Sequence, residues 1–450
     1  MAPLLGKQTV VVGAGIGGLA AAGAVSDFFE NVIVLERDEL HDGAMPRTGT
    51  PQSRHTHVLL GGGERALESL FPGFTAALTK AGAVPYRMGL DILTESPGFD
   101  PFPQRDLGWF GYAMTRPLVE RTVRQELMKR PNVTLRDGCR VAQLVSGERS
   151  GGAVTGVQLA GTNGAGEVVP ADLVVDASGR AALTLDALKA TDHPLPSETA
   201  IGIDMAYSTC IFAIPEDAPP HWKGVLHFPG PPAGKRGAIM FPIEGKRWIL
   251  SLGGAHGDGP PGDLDGFLAY AKELRTETVY RAIKDARPDC DPMRFAFPES
   301  IWRHFERLES FPRGLLPIGD SICRFNPVYG QGMSVATKEA CVLRDLLAAR
   351  AAASDPFDGL APAFFAGIQD VLDTPWAAAA ISDFAYPETR GERPPDLQAT
   401  FAFGRAIVQL AARDAEVHKL RMEVMNLLKP RSAFRDPALV ARVRAVMAEA

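Results

Sequence analysis

The chain has 450 residues, 46% of them hydrophobic and 22% charged, and a formal net charge of −6. That length and apolar content suit two or three lobes with substantial cores and exclude a disordered chain. The acidic balance excludes the dense Lys/Arg footprint that nucleic-acid binding requires.

Residues 8–37 read as strand, tight turn, helix and strand. The apolar run Thr9-Val10-Val11-Val12 enters the glycine cluster Gly13-Ala14-Gly15-Ile16-Gly17-Gly18 almost at once. No signal peptide is therefore expected, and a cytoplasmic location is. No apolar run approaches the ~18 residues of a membrane span. Gly13 permits a tight turn, Gly15 lets backbone approach a pyrophosphate, and Gly18 lets helix and strand pack closely. Phosphates would face the free N–H groups at the helix start. The next strand, Asn31 to Leu35, ends in Glu36 and Arg37. Glu36 is placed to bind adenosine ribose hydroxyls, and Arg37 joins the candidate cofactor set. This cluster alone does not separate FAD from NAD.

A polar loop follows over 41–55, then an amphipathic helix from about Gly63 to Leu70. Residues 81–112 carry short strands among many Gly, Pro and aromatic residues, and 116–130 have helical spacing. Val133 to Leu135 and Cys139 to Leu144 read as strands, and Val141 joins the cofactor set. Val154–Leu159 and Glu167 to Val169 pair as a hairpin. Its turn, Gly161-Thr-Asn-Gly164-Ala-Gly166, lacks the following helix of a second dinucleotide site. Leu173-Val-Val175, apolar on both faces, reads as a central parallel strand, and Asp176-Ala-Ser-Gly179-Arg180 follows it.

From about 190 to 300 the period becomes strand-like, as in Gly237 to Phe241 and Arg247 to Leu252. Residues 263–285 read as helix. Gly314 to Ile318 then returns to the nucleotide-binding pattern. It leads into Gly319-Asp320, Pro327, Gly330-Gln331-Gly332-Met333 and a helix to about Arg350. A carboxylate at a strand end, as Asp320 is, can accept from ribityl hydroxyls. N–H groups of the helix start can stabilise negative charge on a reduced flavin. NAD dehydrogenases have no need of this second turn. Beyond 356 the chain is mostly helical, with a break at 386–395.

Five cysteines, Cys139, Cys210, Cys290, Cys323 and Cys341, include no C-x-x-C pair and read as free thiols. No metal-ligand spacing is present. His55 and His57 flank a Pro-containing loop and read as having an ordinary loop-to-core role. Trp109, Tyr112, Phe228, Phe241 and Phe325 are candidates for an apolar substrate pocket, although spacing does not separate a pocket wall from a core.

The three glycine-bearing stretches, in this order, resemble the FAD-dependent aromatic hydroxylase and epoxidase superfamily over the whole length. Closer likenesses are Pro51-Gln-Ser-Arg54-His55-Thr-His57, Thr115-Arg116-Pro-Leu, Asp176-Ala-Ser-Gly179-Arg180 and Phe325-Asn-Pro-Val-Tyr-Gly-Gln-Gly-Met333. They resemble the flavin epoxidases of polyether pathways, and the Asp176 stretch leans toward squalene epoxidase and styrene monooxygenase. The resemblance implies an α/β fold with a Rossmann-type, glutathione-reductase-like FAD domain, an inserted mixed-sheet substrate domain and a C-terminal helical segment. It divides the chain into FAD-binding parts at 1–80, 113–188 and 299–385. Substrate-domain parts are then 81–112 and 189–298, with a helical segment at 386–450. It implies that Arg54 and Arg116 touch the FAD pyrophosphate and ribityl chain. The implied reaction is oxygen transfer from a C4a-hydroperoxyflavin to an alkene or arene. NAD(P)H or a partner flavin reductase supplies electrons, and no protein residue is assigned a catalytic role. The alternatives are a FAD-dependent reductase of isoprenoid double bonds, a flavin-dependent halogenase and a non-catalytic flavin-binding module. A halogenase would need a W-x-W-x-I-P stretch and a catalytic lysine, whereas Gly108-Trp-Phe-Gly111 is the nearest context here.

Overall fold

A computed structural model of the protein describes residues 4–147, 152–161 and 166–449. Its centre is a five-stranded parallel sheet in the spatial order Leu315–Pro317, Leu173–Asp176, Gly6–Val12, Phe29–Leu35 and Val133–Arg136. Val10, Val11, Val174 and Val175 have no accessible surface. Such two-sided burial is what a parallel strand between covered faces requires.

Register decides where function can sit. Val12 lies opposite Asp176, and Asp176 lies opposite Pro317. The turns at 13–18, 176–180 and 319–333 therefore leave one sheet edge side by side. Helix Ile16–Val25 is buried on nearly every side. A Cβ on Gly17 would lie 3.3 Å from the Ala336 Cβ of helix Gly332–Ala349, so small residues set that close crossing. A Cβ on Gly18 would lie 1.9 Å from the Gly13 carbonyl oxygen, which no side chain tolerates.

Strands Val141–Ser146, Val154–Leu159 and Val168–Pro170 form a small antiparallel sheet. Residues 162–165 of the hairpin turn lie outside the described residues. A seven-stranded mixed sheet runs in the order Cys323–Arg324, Met293–Arg303, Glu198–Ala213, Arg247–Gly254, Arg236–Ile243, Gly224–His227 and Ile92–Glu95. Residues from 81–112 thus join the 189–298 sheet through the parallel pairing of Ile92–Glu95 with Gly224–His227.

One face of the large sheet packs Phe212, Trp248 and Leu250 against helices Leu264–Lys272 and Thr278–Ile283. The single helix expected over 263–285 is two helices. The hydroxyls of Thr276 and Thr278 bond the buried Glu95 carboxylate, each at 2.5 Å. That tether takes the intervening segment off the helical path. The opposite face, through Thr209 and Ser251, meets the loop at His55 and Thr56. Helices Leu360–Gly367 and Gln369–Asp383 pack near Gly332–Ala349. Helices Leu397–Arg413, Ala415–Met425 and Pro437–Glu449 share a core with Phe102, Ile407, Val417 and Leu439.

Asp176 anchors the middle turn. Its fully buried carboxylate accepts from Ser178 N at 3.0 Å, Thr184 Oγ1 at 2.7 Å and Thr184 N at 3.2 Å. Asp176→Ala leaves those donors without an acceptor and should lower stability by about 3 kcal/mol. Thr184→Ser, which keeps the hydroxyl, should lose less than about 1 kcal/mol by the same reasoning. Urea unfolding midpoints of the two variants check the order.

Candidate functional site

The groove at the sheet edge begins with the start of helix Ile16–Val25, which has no side-chain cap. Its first N–H groups are therefore free for a ligand. A Cβ built on Gly15 meets only the Arg116 Nη2, at 3.9 Å, so this backbone faces open space under a cation. Glu36 ends the strand Phe29–Leu35 and is buried. Its carboxylate accepts from Ala14 N at 2.7 Å and Asp38 N at 3.1 Å, and pairs with Arg47 Nη1 at 2.9 Å. Arg37 is exposed and donates to Gly49 O at 3.1 Å. Arg54, at the end of the short helix Pro51–Arg54, is exposed. Val141 lies on the edge of the small sheet, packed beside Leu144 and Val157.

Sequence reasoning missed Arg47 and Glu120. Arg47 bridges Glu36 and Glu120, the latter at 3.0 Å, and Glu120 also holds Arg116 Nε at 2.9 Å. Burial pulls the Arg47 guanidinium down, but Glu120 and Glu36 outweigh it and raise it overall. The i,i+4 spacing of Arg116 and Glu120 was the available signal. Nothing local marks Arg47, which arrives from a loop.

The third segment supplies the far end of the groove. Gly319, at φ 67°, turns the chain, and its N–H donates to Glu339 Oε2 at 2.6 Å. Gly179 N donates to Ser321 Oγ at 3.3 Å, which ties the second segment to the third. Asp320 is exposed to the groove, yet protein encloses it. Burial raises its carboxyl, opposed by Arg116, Arg324 and Arg303. Asn326 Nδ2 and Tyr329 Oη both donate to the buried Asp383 Oδ1, at 3.0 and 2.7 Å. They flank Pro327 and fix the loop before Gly330, which sits at φ 65°. Gln331 then caps helix Gly332–Ala349 with no side-chain bond, and its buried Oε1 has no partner. Met333 is buried in the first turn of that helix.

His55 and His57 carry their loop into the core beside this wall. His57 Nε2 lies 3.4 Å from Arg116 Nη1, and its Nδ1 donates to His55 O at 2.9 Å, a tautomer set by the neighbouring guanidinium. His55 Nδ1 bonds Thr209 Oγ1 at 2.8 Å, and a hydroxyl ladder continues to Ser251 and Thr56. The His55 ring stands edge-on to Tyr207 and Phe295. Burial, then Arg54, lowers His55 to about 4; burial, then Arg116, lowers His57 to about 3. Both are neutral at pH 7.

The five aromatic candidates do not meet in one place. Trp109 and Phe241 share a cluster with Tyr86 and Ile249. Phe325 lies 6.3 Å from Trp376 beside the third segment. Tyr112 packs against the core of the parallel sheet and lines a depression with Glu68, Thr75 and Lys80. Phe228 belongs to none of these clusters, and its carbonyl accepts from Arg275 at 3.0 Å. All five cysteines are free thiols. Among the described residues no acidic, His or Cys cluster could hold a metal, and no helix is long and apolar enough to cross a membrane.

An uncapped helix start, a glycine cradle under Arg116, an accessible but unpaired Asp320 and the orphaned Gln331 Oε1 fit an extended dinucleotide bearing a polar ring. Asp320→Ala should lower the FAD content of purified protein at least tenfold, because a ribityl acceptor is lost, with little change in the urea midpoint; absorbance and unfolding check both. Glu339 provides a pH test. Burial holds its carboxyl up at about 8, well above the usual carboxylate range. The folded state thus keeps a proton that the unfolded chain releases, so stability falls as pH rises from about 5 to 8. Glu339→Gln should flatten that decline, measured as the unfolding midpoint against pH.

Residues 8–190 match the family model described as FAD dependent oxidoreductase. Protein Rv3254 of Mycobacterium tuberculosis is 32% identical over 407 residues, covering 86% of this chain and 82% of that protein. The flavin-dependent brominase Bmp2 superposes with a TM-score of 0.66 at 16% identity, covering 99% of this chain and 98% of that one. The tetrameric 2-methyl-3-hydroxypyridine-5-carboxylic acid oxygenase gives 0.58 at 18%, covering 84% and 90%. The Diels-Alderase PyrE3 gives 0.60 at 17%, covering 93% and 80%. At these identities the three structures establish a shared fold, and their different chemistries show that the fold leaves the reaction open.

Proposed function

The chain belongs to the FAD-dependent oxidoreductases, and from that premise we propose that it is a monooxygenase that epoxidises or hydroxylates an apolar alkene-bearing or aromatic substrate. The observation that carries this reading is the convergence of three segments on one groove, with the accessible Asp320 at its far end. When bound there, FAD supplies activation of dioxygen and transfer of one oxygen atom.

The protein's part is to bind, orient and exclude water. The start of helix Ile16–Val25, with Arg116 above it, would offset diphosphate charge, and Arg47 holds Glu36 and Glu120 in place. Asp320 accepts from the ribityl chain. The start of helix Gly332–Ala349 favours negative charge on the reduced ring. Tyr207, Phe295 and the neutral His55 offer an apolar wall to the substrate, with the Thr209–Ser251–Thr56 ladder fixing the imidazole. Alkene oxidation needs no protein base, because the π bond is the nucleophile. No catalytic residue is assigned.

The test reduces FAD-loaded protein with NADPH or with an added flavin reductase, admits isotopically labelled dioxygen and weighs the product of an alkene or arene. Gain of one labelled oxygen atom supports the reading. Gain of two hydrogens indicates a double-bond reductase, and a halogen taken up from added halide indicates a halogenase. Bleaching by NADPH alone means direct hydride transfer; bleaching only with the reductase means a partner supplies electrons.

A further inference from the structure

Helix Ala415–Met425 reaches one face of the seven-stranded sheet through a single side chain. Its Met422 packs into the cluster of Trp109, Phe241 and Ile249. Its end is fastened to the segment just after His57: Gly62 N donates to Asn426 O at 2.8 Å, and Lys338 Nζ donates to Leu427 O at 3.0 Å. A Cβ on Gly108 would lie 3.9 Å from Lys419 Nζ, so the Trp109 segment runs alongside this helix.

His418, Arg421 and Met422 share one helical face by their spacing. Among the described residues no carboxylate pairs with Arg421, and the contact recorded for its guanidinium is the Met422 Sδ, at 4.0 Å from Nη1. The residue keeps part of its surface accessible. Burial alone nevertheless pushes it down to about 10. Most of the side chain is thus enclosed by protein, with no anion beside it to offset the cost. Asp320 and His57 combine accessibility with desolvation in the same way.

The surroundings hold donors without acceptors. His418 is 4% exposed, its ring stands 4.9 Å from Phe102, and its Nδ1 has no partner. Trp109 Nε1 is buried and also unpartnered. Arg105 donates to Ala411 O at 2.8 Å and Ala412 O at 2.5 Å. Burial, then Arg421 and Arg105, lowers His418 to about 4. The nearby acids are engaged elsewhere: Glu423 with Lys429 at 2.7 Å, Asp414 with Arg442 at 2.5 Å, and Asp106 with Gly108 N at 2.9 Å. An enclosed cation whose one acceptor is a thioether is unfavourable unless an anion arrives, and a carboxylate, which only accepts, matches a guanidinium fork.

We propose that Arg421, flanked by His418 and Trp109, binds the carboxylate of an otherwise apolar substrate. The proposal rests on the substrate site described above and names the polar end of the molecule that enters it. The apolar remainder lies along the Trp109–Phe241 cluster toward His55 and the groove.

The test uses FAD-loaded protein without reductant and two probes with the same ring, naphthoate and naphthalenemethanol, titrated by calorimetry. The wild type should bind naphthoate more tightly by about tenfold or more, the scale of one charge-assisted pair. Arg421→Met should abolish that preference, leave the alcohol's affinity unchanged and raise the Tm, because an unpaired enclosed cation is removed. Arg421→Lys should keep part of the preference. Equal binding of the two probes by the wild type, no naphthoate binding, or an unchanged preference in Arg421→Met overturns the proposal. Binding is read without turnover, so failure of the carboxylate site and failure of the monooxygenase reading are separable.

Discussion

The alignment of three parallel strand ends is the constraint on which the rest depends. Val12, Asp176 and Pro317 stand in one register row, so the turns that follow must share one strip of surface. Backbone must also approach closely there. A Cβ on Gly13 would lie 2.7 Å from Ala177 O, and one on Gly18 would meet the Gly13 carbonyl. Small residues keep the first helix against Gly332–Ala349 and aim two helix starts into the same groove. The mixed sheet and C-terminal helices then close over what that edge exposes.

Electrostatics follows from this arrangement. Two helix starts and the arginines 47, 116, 303 and 324 give the groove positive character. Glu120 fixes the geometry of Arg47 and Arg116 without cancelling both. Burial, helped by Arg54 beside His55 and by Arg116 beside His57, keeps both histidines neutral, so this wall offers fixed dipoles and hydroxyls rather than mobile charge. Asp383, raised to about 6 by burial, braces the loop through Asn326 and Tyr329. Near the C-terminal helices the donors are again unbalanced, this time around Arg421.

Features fixed by local backbone needs were legible in the sequence. A glycine at a left-handed or crowded position leaves a mark that needs no tertiary knowledge, and so the three segments and the α/β architecture could be read directly. The role of Asp176 was legible only as a motif; the fold shows its carboxylate holding Ser178 and Thr184. Features set by distant packing left no local mark. Arg47 reaches its partners from a loop, and His55 meets Thr209 across 154 positions. The two helices within 263–285 part because Glu95, far back in the chain, claims Thr276 and Thr278. The aromatic candidates part for the same reason: composition marks Trp109 and Tyr112 alike, yet Trp109 packs with Phe241 while Tyr112, three residues on in strand Phe110–Ala113, packs against the core of the parallel sheet.

Hydrogen–deuterium exchange of the protein with and without FAD tests most directly whether one cofactor engages all three segments. The account predicts slowed exchange together at 13–18, 176–180 and 319–333, with smaller changes over 51–60. Protection confined to 13–18, with 319–333 unchanged, would contradict it and leave an ordinary dinucleotide site at the first turn alone.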